Sequence, residues 1–108
     1  MRKIFVVGLI LLLSLSAAVF AQHRTNYVIV NNTGYEIYAA YVSSSTNPNW
    51  GEDLLSTTIP PGGTRNMWTT SSVIDIMLVD VDGDSYTKFG IRVTNGARIV
   101  FTISDLDE

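Results

Sequence analysis

The sequence predicts an all-β protein: a small antiparallel β-sandwich of about 6–8 strands, preceded by a signal peptide. Three observations carry that expectation. Apolar and polar residues alternate in short segments, which is the period of a half-buried strand. Asn-Thr-Gly, Pro-Pro-Gly, Asp-Gly and Asn-Gly turns separate those segments. Beyond the leader, no stretch has the three-to-four-residue spacing of an amphipathic helix.

Composition divides the chain in two. Of 108 residues, Met1-Arg2-Lys3 form a basic start, residues 4–19 an apolar run, and Val19-Phe20-Ala21 a cleavage site of signal-peptidase character. Ser14 and Ser16 interrupt the apolar run, which argues against a retained membrane helix. The expected organisation is a signal peptide over residues 1–21 and a single all-β domain over 22–108. Export follows, to the periplasm or medium if the host is a bacterium, with no stable membrane insertion after cleavage. The whole chain holds 7 Lys and Arg against 10 Asp and Glu. Because Arg2 and Lys3 leave with the leader, the exported part is more acidic still, a poor match for nucleic acid. No cysteine occurs, so disulfides, thiol nucleophiles and thiolate metal sites are excluded.

The first strand is expected over residues 26–31 and the second over 35–43, joined by a tight turn at Asn32-Thr33-Gly34. In the second, Tyr35, Ile37, Ala39 and Tyr41 share one face. Residues 43–49 are a polar loop that Pro48 helps to keep irregular. Trp50 to Leu55 fits a short strand or one helical turn, and a further short strand is expected near residue 58. Pro60-Pro61-Gly62-Gly63 is a turn, since proline lacks the donor that a central strand needs. A strand over 64–69 follows. Residues 73–81 are the best central strand, because their β-branched side chains disfavour helix and apolar residues occupy both faces. Asp82-Gly83 turns the chain into a strand over 85–93, with Thr87, Phe89, Ile91 and Val93 inward and Tyr86, Lys88 and Arg92 outward. Asn95-Gly96 precedes a last strand over 98–105, and Leu106-Asp107-Glu108 is an acidic tail with little to hold it.

The sharpest chemical cluster is Asp80-Val81-Asp82-Gly83-Asp84. Carboxylates at alternate positions around glycine suit a hard cation such as calcium, with Glu52 and Asp53 as further ligands if their loop reaches the same end. An EF-hand loop starting at Asp80 would need glycine at Ser85 and glutamate at Ile91, so that motif is absent. The competing explanation is a hairpin whose acids serve the turn. Catalysis has little to draw on: His23 is the only histidine, and no base flanks Ser43 to Ser45. A carboxylate hydrolase would need Asp53, Asp75 and Asp80 to converge. In the strand over 73–81, Asp75 is expected to accept backbone hydrogen bonds or pair with Arg65 or Arg92. Tyr38, Trp50 and Trp68 are the candidate residues for a protein or glycan partner, because exposed rings favour such surfaces.

Asn31-Asn32-Thr33-Gly34, Tyr41-Val42-Ser43-Ser44, Trp50-Gly51-Glu52-Asp53-Leu54-Leu55, Pro60-Pro61-Gly62 and the Asp75 and Asp82-Gly83 hairpin together carry a resemblance. Over most of residues 27–93 the chain resembles a group of small secreted bacterial proteins of unknown function. In that group cysteines commonly flank the two hairpin strands, at positions matched here by Ser72 and Thr94. The resemblance implies an all-β fold and export, and it carries no catalytic residue. The resulting expectation is an exported, non-enzymatic sandwich that binds a protein or glycan, with a calcium-responsive module as the alternative and a carboxylate hydrolase as a third reading.

Overall fold

Among the described residues, six strands form two three-stranded sheets that close on a shared core. The computed structural model describes residues 23–108; the leader predicted over residues 1–21 lies outside the described residues. The strands are β1 (Thr25–Asn32), β2 (Ile37–Ser44), β3 (Thr64–Thr69), β4 (Val73–Asp80), β5 (Ser85–Arg92) and β6 (Ala97–Thr102), followed by a 3-10 turn at Ile103–Asp105. One sheet has the order β3-β1-β6 and the other β2-β4-β5. The all-β sandwich read from alternation is therefore present, without a closed barrel. It is antiparallel except for one pair, since β1 runs parallel to β6.

Alternation decides what lies inside. Tyr27, Ile29, Ile99 and Phe101 from the first sheet meet Ile37, Ala40, Ile74, Ile76, Leu78 and Tyr86 from the second. As expected, β4 is central in its sheet and presents Ile74, Ile76 and Leu78 to the core. Each buried aliphatic side chain of this size is worth roughly 1.5–3 kcal/mol relative to exposure. Val73, Met77 and Val79 occupy the other face of β4 and are half buried.

Several local expectations need correction. Asn32-Thr33-Gly34 does not make a hairpin, because β1 and β2 belong to different sheets. The cause is Asn31, a fully buried residue at a core-facing position of β1. Its Nδ2 donates to the carbonyls of Tyr35 (2.7 Å), Ile59 (3.0 Å) and Pro60 (3.2 Å). Its Oδ1 accepts from the Thr33 amide and hydroxyl at 3.2 and 2.7 Å. These bonds lead the chain across to the second sheet, where Ile37 and Ile59 bridge through two backbone hydrogen bonds of 2.9 Å. That bridge is all that forms near the short strand expected at residue 58.

Two bulges account for the misassigned faces. A register shift between Ile37 and Ala39 breaks the single face expected for Ile37, Ala39 and Tyr41, so that beyond it Ala40 and Val42 join Ile37 at the core. In β5, Phe89 and Gly90 together oppose Asp75, since Ile74 pairs Ile91 while Ile76 pairs Lys88. One extra residue reverses every side chain before it. Tyr86 is consequently buried and Phe89 is 72% exposed, the opposite of the simple alternation. Gly90 supplies the positive φ of 65° that this bulge uses. The acidic tail is also held: Leu106 bridges Tyr86, and the Asp107 amide donates to the Ser85 carbonyl at 2.9 Å. Asp107 Oδ2 accepts from the Ser85 and Thr87 hydroxyls at 2.7 and 2.6 Å. The last strand stops at Thr102 because Thr102 and Asp105 form a capping box around the 3-10 turn.

Burial raises the Tyr27 phenol to about 12. Burial and the hydrogen bond to Asp80 do the same to Tyr86, again to about 12. In the unfolded chain both ionise near pH 10. Their contribution to stability is complete below that pH and is lost as pH rises through about 12, because there the unfolded state holds fewer protons. Melting temperature should stay level to about pH 10 and then fall; a level profile through pH 12 would contradict the assignment. Among the described residues the Tyr27 hydroxyl has no hydrogen-bond partner, whereas that of Tyr86 donates to Asp80 Oδ2 at 2.8 Å. In denaturant titrations, Tyr27→Phe should leave stability unchanged or raise it by up to about 1 kcal/mol, and Tyr86→Phe should lower it by about 1–2 kcal/mol.

Candidate functional site

The acidic hairpin is organised from within. Asp80 is fully buried at the end of β4. Its Oδ1 accepts the amides of Asp82 (2.9 Å) and Asp84 (3.0 Å), while Oδ2 accepts the Tyr86 hydroxyl. The Asp80 amide donates to the Asp84 carbonyl, and the Gly83 amide returns to the Asp80 carbonyl. With Gly83 at φ 85°, this is a three-residue Val81-Asp82-Gly83 loop rather than a two-residue one. A charged acceptor satisfies backbone donors more strongly than a neutral one, which explains an acid in the core here.

Asp53 and Asp75 are occupied in a similar way. Asp53 Oδ1 accepts the amides of Ala40 (2.9 Å) and Leu55 (3.0 Å), fastening the residue 50–55 loop to the outer edge of β2. The Leu54 amide adds a bond to the Ala40 carbonyl at 2.8 Å. Asp75 Oδ1 accepts the Gly90 amide at 2.8 Å and the Ser45 hydroxyl at 2.6 Å. It thus satisfies the donor that the β5 bulge frees and holds the start of the loop after β2. Backbone acceptance is the structural role expected of Asp75, with Gly90 as donor in place of Arg65 or Arg92. Glu52, Asp82 and Asp84 are exposed. Among the described residues no three acids or histidines come together as a metal-holding group. Of the residues expected for calcium, Asp82, Asp84 and Glu52 carry exposed side chains, while Asp53, Asp75 and Asp80, expected for a hydrolase, each accept hydrogen bonds in a separate local network.

The candidate aromatic residues occupy two surfaces. Tyr38 is 49% exposed at the β2 bulge. Trp50 reaches Phe89, with ring centroids 6.2 Å apart and planes tilted by 40°. These lie with the second sheet. Trp68 belongs to β3 of the first sheet, where alternation sends Met67 to the core and Trp68 outward. The Arg24 guanidinium lies 3.9 Å from the centre of the Trp68 ring, a cation–π contact worth about 0.5–1 kcal/mol.

A groove of about 340 Å³ runs beside β3, lined by Leu54, Asn66, Met67 and Trp68. Leu54 and Trp68 are each about half exposed there. Asp53 builds one wall, because its two backbone bonds set the position of Leu54. Sequence reasoning identified Trp68 but missed Leu54, Asn66 and Met67, since only the docked loop brings residue 54 beside residues 66–68. Phe89 was placed inward, although the Gly after it inside a strand pattern is a bulge signal.

No family model matches the chain, and no curated protein matches it either. In fold it is similar to a protein from Eubacterium rectale whose structure was determined by NMR. The two share 16% identity and a TM-score of 0.56, over 79% of this chain and 80% of the other. That likeness supports the arrangement of strands. Among the described residues no helix is long and apolar enough to cross a membrane.

Replacing Asp80 by Ala should cost about 2–4 kcal/mol, because it orphans two amides and a buried hydroxyl together. Asp82→Ala and Asp84→Ala should each cost less than about 1 kcal/mol, as exposed side chains whose amides keep their acceptor. Urea titration of the three variants checks the order; equal losses at all three positions would refute it.

Proposed function

We propose that the chain is an exported, non-enzymatic β-sandwich that binds a protein or glycan partner through exposed aromatic and apolar side chains, with the Leu54–Trp68 groove as its main contact surface. The observation that supports this most is the groove itself. Two large apolar side chains, Leu54 and Trp68, line one concavity while half exposed, and Asn66 adds a polar group to the same lining. Pockets that bind combine an apolar lining with a few polar groups. Trp68 is also braced by Arg24, which reduces the entropy lost when the ring is fixed by a partner.

Export rests on the basic, apolar and small-residue order of the leader, and on a sequence without cysteine that has no need of oxidative folding. The secreted look-alikes noted above agree with it. A binding role without catalysis fits carboxylates that serve turns, a loop and a bulge. Phe89 with Trp50 is a smaller aromatic surface on the second sheet.

The direct test screens the exported protein against arrays of glycans and extracellular protein fragments, with titration calorimetry on whatever binds. Trp68→Ala and Leu54→Ala should each weaken the interaction by about tenfold or more. Phe89→Ala should change it by less than about threefold. Affinity unchanged in both groove variants would reject the groove as the surface.

A further inference from the structure

The groove lies along β3, since three successive residues of that strand, Asn66, Met67 and Trp68, line it. That strand is the outermost of its sheet. The Asn31 amide donates to the Gly63 carbonyl at the start of the β1–β3 ladder, and the register then continues without a shift from Val30↔Thr64 to Thr25↔Thr69. In an antiparallel ladder, bonding direction alternates with each residue. Arg65, Met67 and Thr69 therefore turn their amides and carbonyls toward β1, while Thr64, Asn66 and Trp68 turn theirs away. Among the described residues, no backbone hydrogen bond outside the strand ladders involves these three residues. The other sheet treats its edges differently: Leu54 bonds to Ala40 on β2, and Asp107 bonds to Ser85 on β5.

We infer that this edge accepts an extended polypeptide segment of a partner protein, added as a fourth strand beside β3, with apolar side chains entering the Leu54–Met67–Trp68 groove and basic side chains beside them. The inference rests on the proposed binding reading and narrows its partner to a strand. Outward donors and acceptors repeating at every second residue are complemented by another backbone. A glycan has no such repeat. Six residues give an edge about 20 Å long, which suits one linear segment. A second folded copy joined only here would fall short of the roughly 1,200 Å² of a standard interface.

Charge points the same way. Acids exceed bases by 10 to 7 in the whole chain, so two copies repel each other and a cationic segment is attracted. Glu52 is exposed two residues before Leu54. Of the nearby cations, Arg24 lies on Trp68, and Arg65 donates to the carbonyls of Thr57 (3.1 Å) and Thr58 (2.9 Å).

Amide exchange of the exported protein, followed by NMR, tests the inference. The probe is a seven-residue peptide alternating lysine with valine; its controls are a copy N-methylated at alternate amides and a glutamate–valine counterpart. In the free protein the amides of Asn66 and Trp68 should exchange rapidly and that of Met67 slowly. The lysine–valine peptide should slow exchange at Asn66 and Trp68 by about tenfold or more, and the controls should not. Asn66→Pro removes an outward amide without touching the β1 ladder, and it should weaken the peptide about tenfold while leaving side-chain contacts in the groove. Should that variant fold poorly, the N-methylated peptide delivers the same test on the unaltered protein. Peptide binding without protection of Asn66, equal binding of the N-methylated peptide, or no binding at millimolar peptide would each overturn the inference. So would concentration-dependent protection without peptide, which would assign the edge to a second copy. A glycan that depends on Trp68 and tolerates Asn66→Pro would overturn the strand and leave the binding reading standing, whereas indifference of every ligand to Trp68→Ala would remove both.

Discussion

The fold turns on the buried amide of Asn31. A sandwich must carry its chain from one sheet to the other, and each crossing takes backbone groups out of regular pairing while they remain near the core. One side chain meets that need three times here: Asn31 Nδ2 gathers the carbonyls of Tyr35, Ile59 and Pro60. The Asn31 backbone joins the same junction, donating to Gly63 at 2.9 Å and accepting from Gly62 at 2.7 Å. The exit of β1, the entry to β2 and the turn into β3 thus share one centre. Thr33, also buried, links Asn31 Oδ1 to the Tyr35 carbonyl. On the facing sheet, Asp80 and the Tyr86 hydroxyl form a second buried polar pair. The Thr33 hydroxyl lies beside Tyr86 and partly offsets the rise in its pKa. One end of the core is consequently polar and fully organised, while the rest is aliphatic and aromatic.

That organisation also positions the groove proposed as the contact surface. The crossing from β2 to β3 must travel along the β2 edge to reach the Ile37–Ile59 bridge, and Asp53 fastens it on the way. Leu54 is thereby brought into one groove with Trp68, and among the described residues the outer edge of β3 has no backbone partner because the crossing protects β2 instead. On the far side, Asp75 stabilises a bulge that turns Phe89 outward toward Trp50. The Lys88–Asp105 ion pair, 3.1 Å long and close to the Phe101 ring, ties the chain after β6 to the β5 edge. Partly exposed pairs of this kind contribute roughly 0–1 kcal/mol, so apolar burial dominates.

Much of the fold was legible because it depends on alternation and turn chemistry, which are local. Val73 to Asp80 declared a central strand through β-branched residues on both faces, and Asp82-Gly83 declared its hairpin. Bulges were less legible, since a single inserted residue leaves the composition unchanged while reversing the faces, as it does around Tyr38 and Gly90. Asn31 was hidden among turn-forming neighbours: Asn-Asn-Thr-Gly reads as a hairpin until its partners at residues 59 and 60 are known. The parallel pairing of β1 with β6 joins the two ends of the domain, and no local signal encodes it. Trp68 could be singled out by residue type, whereas Leu54 acquires its place only through the Asp53–Ala40 bond.

The central claim is that Asn31 couples the two sheets into one cooperative unit. Site-resolved hydrogen exchange on Asn31→Ala, with urea unfolding alongside, measures that coupling most directly. The account predicts a loss of about 2–4 kcal/mol, with amides of β1 and β4 losing protection by the same amount although they lie in different sheets. A loss below about 1 kcal/mol, or one confined to residues 31–35 and 59–63, would contradict it.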